Sequence, residues 1–155
     1  MDDIDRRLLA ALMADARTSF ADLARQVGLS GPSVHDRVRK LEREGVLRGS
    51  SVAVDPKALG LGVSALVGLQ QREGVDADEI VAALAGVPEV EDCWFVAGDE
   101  AFVVKVRVGD LDDLDRTLRV LRHVPGISRT RTTVVLSTAF EGRRRVPYGE
   151  APAAG

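Results

Sequence analysis

Apolar residues recur at helical spacing in the first third of the chain and at a spacing of two further on, so the period itself divides the molecule. Ile4, Leu8, Leu9 and Leu12 fall on one face of a first helix, with Asp2 and Asp3 at its positive end. In SFADLARQVG, Ser19 serves as N-cap and Asp22, three residues on, gives a shortened capping box. Leu23, Ala24 and Val27 form the inward face of this second helix. Gly28 suits the left-handed residue that ends a helix, and Leu29 plugs the corner after it. SGPSVHDRVRKLEREG opens at Ser30 or Gly31, with Pro32 in the first turn where its missing N–H costs nothing. Val34, Val38 and Leu41 point inward, and Gly45 stops this third helix. Helices joined so closely predict a helix-turn-helix over residues 1–47.

VLRGSSVAVDP ends at Asp55-Pro56 and reads as a hinge strand, within a connecting segment over residues 48–61. GVSALVGLQQR is strand-like, and DADEIVAALAGVP is a helix with Ile80, Val81 and Leu84 inward and Gly86 and Pro88 as its stop. VEDCWFVAG and EAFVVKVRV are two strands around a Gly-Asp-Glu corner. In the second, Phe102, Val104, Val106 and Val108 share one face, and Ala101, Val103, Lys105 and Arg107 the other. Asp110 caps a further helix whose stripe is Leu111, Leu114, Leu118 and Leu121, and ISRTRTTVVLSTAF is a last, β-branched strand. The order strand–helix–strand–strand–helix–strand over residues 62–140 predicts a ferredoxin-like βαββαβ domain. The fold class is therefore α+β: a helix-turn-helix, a strand hinge and a ferredoxin-like domain. Residues 141–155 lack periodicity and are expected to be disordered.

At 45% hydrophobic and 29% charged, the chain has the composition of a soluble globular protein. No apolar run approaches the ~20 residues of a membrane span, and MDDIDRR lacks the order of a signal peptide; the expected compartment is the cytoplasm. The net charge of −3 argues against a nucleic-acid partner until it is divided. Residues 51–140 carry nine Lys/Arg against fourteen Asp/Glu, whereas Arg37, Arg39, Lys40, Arg43 and Arg48 stand against only Glu42 and Glu44. A basic segment is thus attached to an acidic domain. Cys93 lies in a strand without a ligand partner near it. His35 and His123 fall in separate domains, so no metal and no cofactor are expected. Trp94 and Phe95 are read as core or subunit interface, and Arg143, Arg144 and Arg145 as a basic stretch able to help hold DNA.

On the third helix, a step of about 100° per residue places Pro32, Ser33, Asp36, Arg39, Lys40 and Arg43 opposite the apolar stripe, with His35 and Arg37 on the flanks. The N-terminal residues of such a helix meet base edges in a major groove, so Ser33, His35 and Asp36 are candidates for reading bases, beside Ser30 and Pro32. Arg37, Arg39, Lys40 and Arg43 are placed for phosphates of double-stranded DNA.

These residues carry a resemblance. The patterns D-x-x-L-L-x-x-L, L-A-x-x-V-G-L-S and R-V-x-x-L-E-x-x-G-V-L-x-G, the V-D-P hinge, and later V-x-G-D and T-R-T-x-V-V-L resemble the Lrp/AsnC (feast–famine) family of transcriptional regulators over residues 2–140. The resemblance implies a DNA-binding regulator that is a homodimer through its sensing domains, assembles further into octamers, and responds to an amino acid bound between those domains. It places the effector at Gly98, Asp99, Glu100 and Ala101, with hydroxyls from Thr130, Thr132 and Thr133 on the last strand. The sequence departs from the family's Gly-Asp-aromatic-Asp-aromatic corner, because Glu100 replaces an aromatic and Ala101 the second Asp. That departure keeps open a second expectation, an architectural DNA binder with a degenerate effector site. Sirohaem decarboxylases resemble the same two-domain fold, but here the sensing half offers only His123 and the sole tyrosine is Tyr148, so no enzymatic activity is expected.

Overall fold

Two aspartates open the first helix reciprocally. Asp2 accepts from the Asp5 N–H at 2.8 Å, and Asp5 accepts from the Asp2 N–H at 3.0 Å, so two of the N–H groups left over at a helix start are satisfied. The computed structural model describes residues 1–49 and 52–142; Arg143 to Arg145, Tyr148 and most of the expected disordered tail lie outside the described residues. The chain forms two compact units, one built on Met1–Ala53 and the other on Val54–Ala139.

In the first unit, α1 spans Asp3–Ala14, α2 Phe20–Val27 and α3 Gly31–Arg43. Ser19 and Ser30 cap α2 and α3, and Gly28 ends α2 in the left-handed conformation. Leu8, Leu23, Ala24, Val27, Val34 and Val38 make one core, with Ile4, Leu12, Leu29 and Leu47 packed on it. The inward positions expected from helical spacing are therefore those observed. No strand forms among the described residues of the connecting segment, which corrects the expected hinge strand. Residues 52–55 have no ladder partner among the described residues, and Pro56–Leu59 winds into a 3-10 turn capped by Asp55. Proline fixes its own φ and gives up its N–H, which suits the first position of such a turn.

The second unit is a four-stranded antiparallel sheet of β1 (Val63–Gln71), β2 (Val90–Phe95), β3 (Phe102–Val108) and β4 (Ile127–Val135), in the order β2-β3-β1-β4. Helices α4 (Ala77–Ala85) and α5 (Leu111–Arg122) connect β1 to β2 and β3 to β4, giving the ferredoxin-like arrangement. Ala65, Val67 and Leu69 of β1 meet Phe102, Val104, Val106 and Val108 of β3 in one core, closed by Ile80, Leu84, Leu114 and Leu121 from the helices. The alternation in β3 is complete, buried and half-buried by turns. The opposite sheet face carries Leu66, Trp94, Val103, Lys105 and Arg107, and there Leu66 and Trp94 are exposed.

Some inward assignments fail. Val81 and Leu111 are 41% and 65% exposed, while Thr117 is buried in α5 and its hydroxyl donates to the Asp113 carbonyl at 2.9 Å. Leu111 is the first residue of its helix, where the chain has not yet turned under the sheet. Trp94 and Phe95 are not core residues: β2 is an edge strand and Phe95 is 71% exposed, with its ring edge-on to Phe102 at 5.2 Å.

Candidate functional site

The exposed arc of α3 begins at its cap. The Ser30 hydroxyl accepts from the Ser33 N–H at 3.4 Å and lies 2.9 Å from the Ser33 hydroxyl, so the first turn is tied before anything approaches it. Pro32, Ser33, Asp36, Arg39, Lys40 and Arg43 are all exposed, on the side away from buried Val34, Val38 and Leu41. Lys40 stands 3.9 Å from Glu44, a loose pair that leaves the ammonium accessible. His35 is half-buried and meets the Phe20 ring edge-on at 5.3 Å, which ties α3 to the start of α2.

Arg37 is held differently from the rest of the expected set. Its guanidinium lies 2.7 Å from both Asp2 and Asp5, and those carboxylates hold it above the ordinary arginine range. The Asp5 N–H and the Arg37 guanidinium together hold the Asp2 carboxyl below its usual value. Arg37 is thus paired with α1 as well as placed on the flank of the outer arc, where phosphate contact is expected of it. The signal missed in the sequence is Asp5, a buried carboxylate 4% exposed; a charge so placed is costly unless paired.

The second candidate site is the corner between β2 and β3. Gly98 holds a φ of 151°, which side chains rarely permit, and open space lies where its Cβ would stand. Backbone conformation, rather than a close approach of another part of the chain, therefore requires this glycine. The close approach occurs at Gly68 on β1, where a Cβ would come within 2.7 Å of the Glu100 side chain. Glu100 lies across that glycine and pairs with Arg131 at 2.7 Å. The Ala101 N–H donates to the Leu69 carbonyl at 2.9 Å, and the Val96 N–H to the Ala101 carbonyl at 2.9 Å, so the corner hangs from β1.

Asp99, Glu100 and Thr130 are brought together with Gly68, Gln70, Arg129 and Arg131 around one shallow cavity. Gly98 and Ala101 line the adjoining space beside Phe95 and Gln71. The threonines divide: register sets Thr130 and Thr132 against Leu69 and Val67 on the helix-covered face, and Thr133 against Leu66 on the open one. Thr132 and Thr133 do not line the cavity. The sequence reading missed Gly68, Gln70, Arg129 and Arg131, whose only advance signal is a glycine inside a strand. Among the described residues no group of three or more His, Cys, Asp or Glu side chains could hold a metal ion, and no helix is long and apolar enough to cross a membrane.

A capped helix-turn-helix with a cationic outer arc, followed by a ferredoxin-like domain with a polar corner, defines a two-part regulator, one part suited to DNA and the other to a small molecule. The family description AsnC-type helix-turn-helix domain matches residues 1–42, and that of the Lrp/AsnC ligand binding domain matches residues 63–145. The chain belongs to the Lrp/AsnC family of transcriptional regulators. It is 39% identical over 147 residues to the HTH-type transcriptional regulator LrpA of Mycobacterium tuberculosis, covering 95% of this chain and 97% of that protein. It is 33% identical over 137 residues to the regulatory protein AsnC of Escherichia coli, covering 88% and 90%. Among solved structures, the feast or famine regulatory protein of M. tuberculosis complexed with L-methionine superposes with a TM-score of 0.87 at 39% identity, covering 94% of this chain and 99% of that one. These relatives are regulators of transcription.

Proposed function

We propose that the protein binds double-stranded DNA sequence-specifically through α3, as a cytoplasmic homodimer able to assemble into octamers, and that an amino acid or related metabolite at the β2–β3 corner adjusts that binding. The observation that carries the DNA reading is the single-sided helix: Val34, Val38 and Leu41 are buried while Ser33, Asp36, Arg39, Lys40 and Arg43 stand exposed on the other side. Ser30, Pro32, Ser33, His35 and Asp36 lie at the end that meets base edges, and Arg39, Lys40 and Arg43 further along face phosphates. The uncovered sheet face with Leu66 and Trp94 supports pairing with a second copy.

For the effector, exposed Asp99 offers a partner for an ammonium, and Arg129 and Arg131 offer guanidinium donors for a carboxylate. The related structure with L-methionine supports an amino acid as the class. A second reading is favoured by the Glu100–Arg131 pair: it neutralises two charges at the corner and suits a DNA binder that needs no effector. Footprinting of the DNA flanking the protein's own gene, with and without a panel of amino acids, tests both readings. A footprint altered by one amino acid supports effector control. A footprint indifferent to all of them supports the second reading, and no protection of any sequence overturns the DNA assignment.

A further inference from the structure

Each carboxylate of the α1 capping box uses one oxygen on backbone and offers the other to the same guanidinium. Asp2 holds the Asp5 N–H with Oδ1 and Arg37 with Oδ2, while Asp5 holds the Asp2 N–H with Oδ2 and Arg37 with Oδ1. Asp5 is 4% exposed beside a core that includes Leu8 and Val34, so the pair is shielded from solvent on its inner side. Arg37 comes from the middle of α3, one residue from Val38 in that core and two from Arg39 on the exposed arc. Rotating α3 about its axis, or sliding it along α1, separates the guanidinium from at least one carboxylate.

We propose that Arg37 is a positioning residue: it clamps α3 to the start of α1 and so sets the angle at which Ser33, Asp36, Arg39 and Lys40 meet DNA, without contacting a phosphate itself. This rests on the reading of α3 as the DNA-binding helix. Both bonds come from the one Nη1 nitrogen, which the rigid guanidinium plane holds at a fixed angle, whereas a lysine ammonium is a compact charge on a flexible stem. Asp5, buried and on another helix, acts on DNA only through this clamp. Arg37→Ala and Asp5→Asn should therefore share a phenotype although their charge changes are opposite in sign.

The test is DNA affinity by fluorescence anisotropy across salt concentrations, at a temperature where circular dichroism shows each full-length variant folded. Arg37→Ala and Asp5→Asn should each weaken binding on the order of tenfold, equivalent to about 1.4 kcal/mol, with a salt dependence as steep as that of the unaltered protein. The double variant should bind no worse than Arg37→Ala. Arg37→Lys should recover only part of the loss. A salt slope lower by about one in Arg37→Ala, with Asp5→Asn unaffected, would make Arg37 a phosphate ligand and overturn the proposal. Unchanged affinity in both folded variants would reduce the clamp to a stabilising contact and also overturn it. Should either variant fail to fold, Asp2→Asn removes the more exposed partner and should give a smaller loss at unchanged slope; an unaltered affinity there overturns the proposal. If the unaltered protein binds no DNA, the reading of α3 fails separately. The clamp is then tested by thermal unfolding of the two single variants and their double, where additive effects would overturn it.

Discussion

Glu100 reaches Arg131 at 2.7 Å over the bare backbone of Gly68, so a residue of the β2–β3 corner is paired with the edge strand β4 through a gap left by the central strand. A methyl group at position 68 would occupy the place of the Glu100 side chain. Gly68→Ala should therefore expel Glu100 and break the pair at a cost of about 1 kcal/mol or less, since Arg131 is mostly exposed. Thermal unfolding of Gly68→Ala, Arg131→Ala and their double reads this directly. Fully additive losses would show that the glycine and the ion pair are independent.

Arg39 and Lys40 are exposed on α3. Replacing either with alanine should weaken DNA binding across all sequences and lower the salt slope by about one. Anisotropy titrations over a range of salt concentrations measure both quantities, and a slope left unchanged in both variants removes these residues from the phosphate contacts.

Phe102 is 1% exposed and packs edge-on against Phe95 at 5.2 Å. Phe102→Ala leaves a cavity under the sheet and should cost about 3–5 kcal/mol, seen as a lower denaturant midpoint of the second unit. A loss below about 1 kcal/mol, well under that range, would mean that the surrounding core collapses to fill the space.

Glu91 sits where the register between β2 and β3 shifts, and its two oxygens reach Lys105 and Arg107 at 2.7 Å each. Burial pushes its carboxyl up, but the hydrogen bonds and charges of Lys105 and Arg107 outweigh it and leave the group below its usual value of 4.5. A carboxylate depressed in the folded state adds stability that is complete above the unfolded value and is lost as pH falls through the folded one. Stability should decline below about pH 4.5, and Glu91→Gln should flatten that part of the profile in denaturant titrations at successive pH values. An identical acid profile in the variant would assign the loss to other groups.

The local features of the fold were legible in the sequence because they are local in cause. The caps at Ser19, Ser30 and Asp110 and the alternation of Phe102 to Val108 are written within a few residues of where they act. Arg37 was not legible: by helical angle it flanks the outer arc, and only the packing of α1 beside α3 brings Asp2 and Asp5 to it. The corner shows the same limit. Gly98 to Ala101 could be singled out, but Gly68, Arg129 and Arg131 join them only through strand register, which a period of two does not specify. The expected hinge strand is not seen among the described residues for a related reason, since a strand needs a partner and residues 52–55 have none among them.

Strand β1 is hydrogen-bonded on both flanks, to β3 and to β4, whereas the corner from Gly98 to Glu100 depends on few backbone bonds and one ion pair. Shearing β1 would break two ladders together; opening the corner breaks neither. Motion provoked at the cavity is therefore absorbed at the hairpin tip, and the sheet behind it acts as a fixed wall. Amide hydrogen exchange would register this as rapid exchange over Gly98 to Glu100 beside slow exchange over Ala65 to Leu69, with the boundary between the two regimes falling at Ala101.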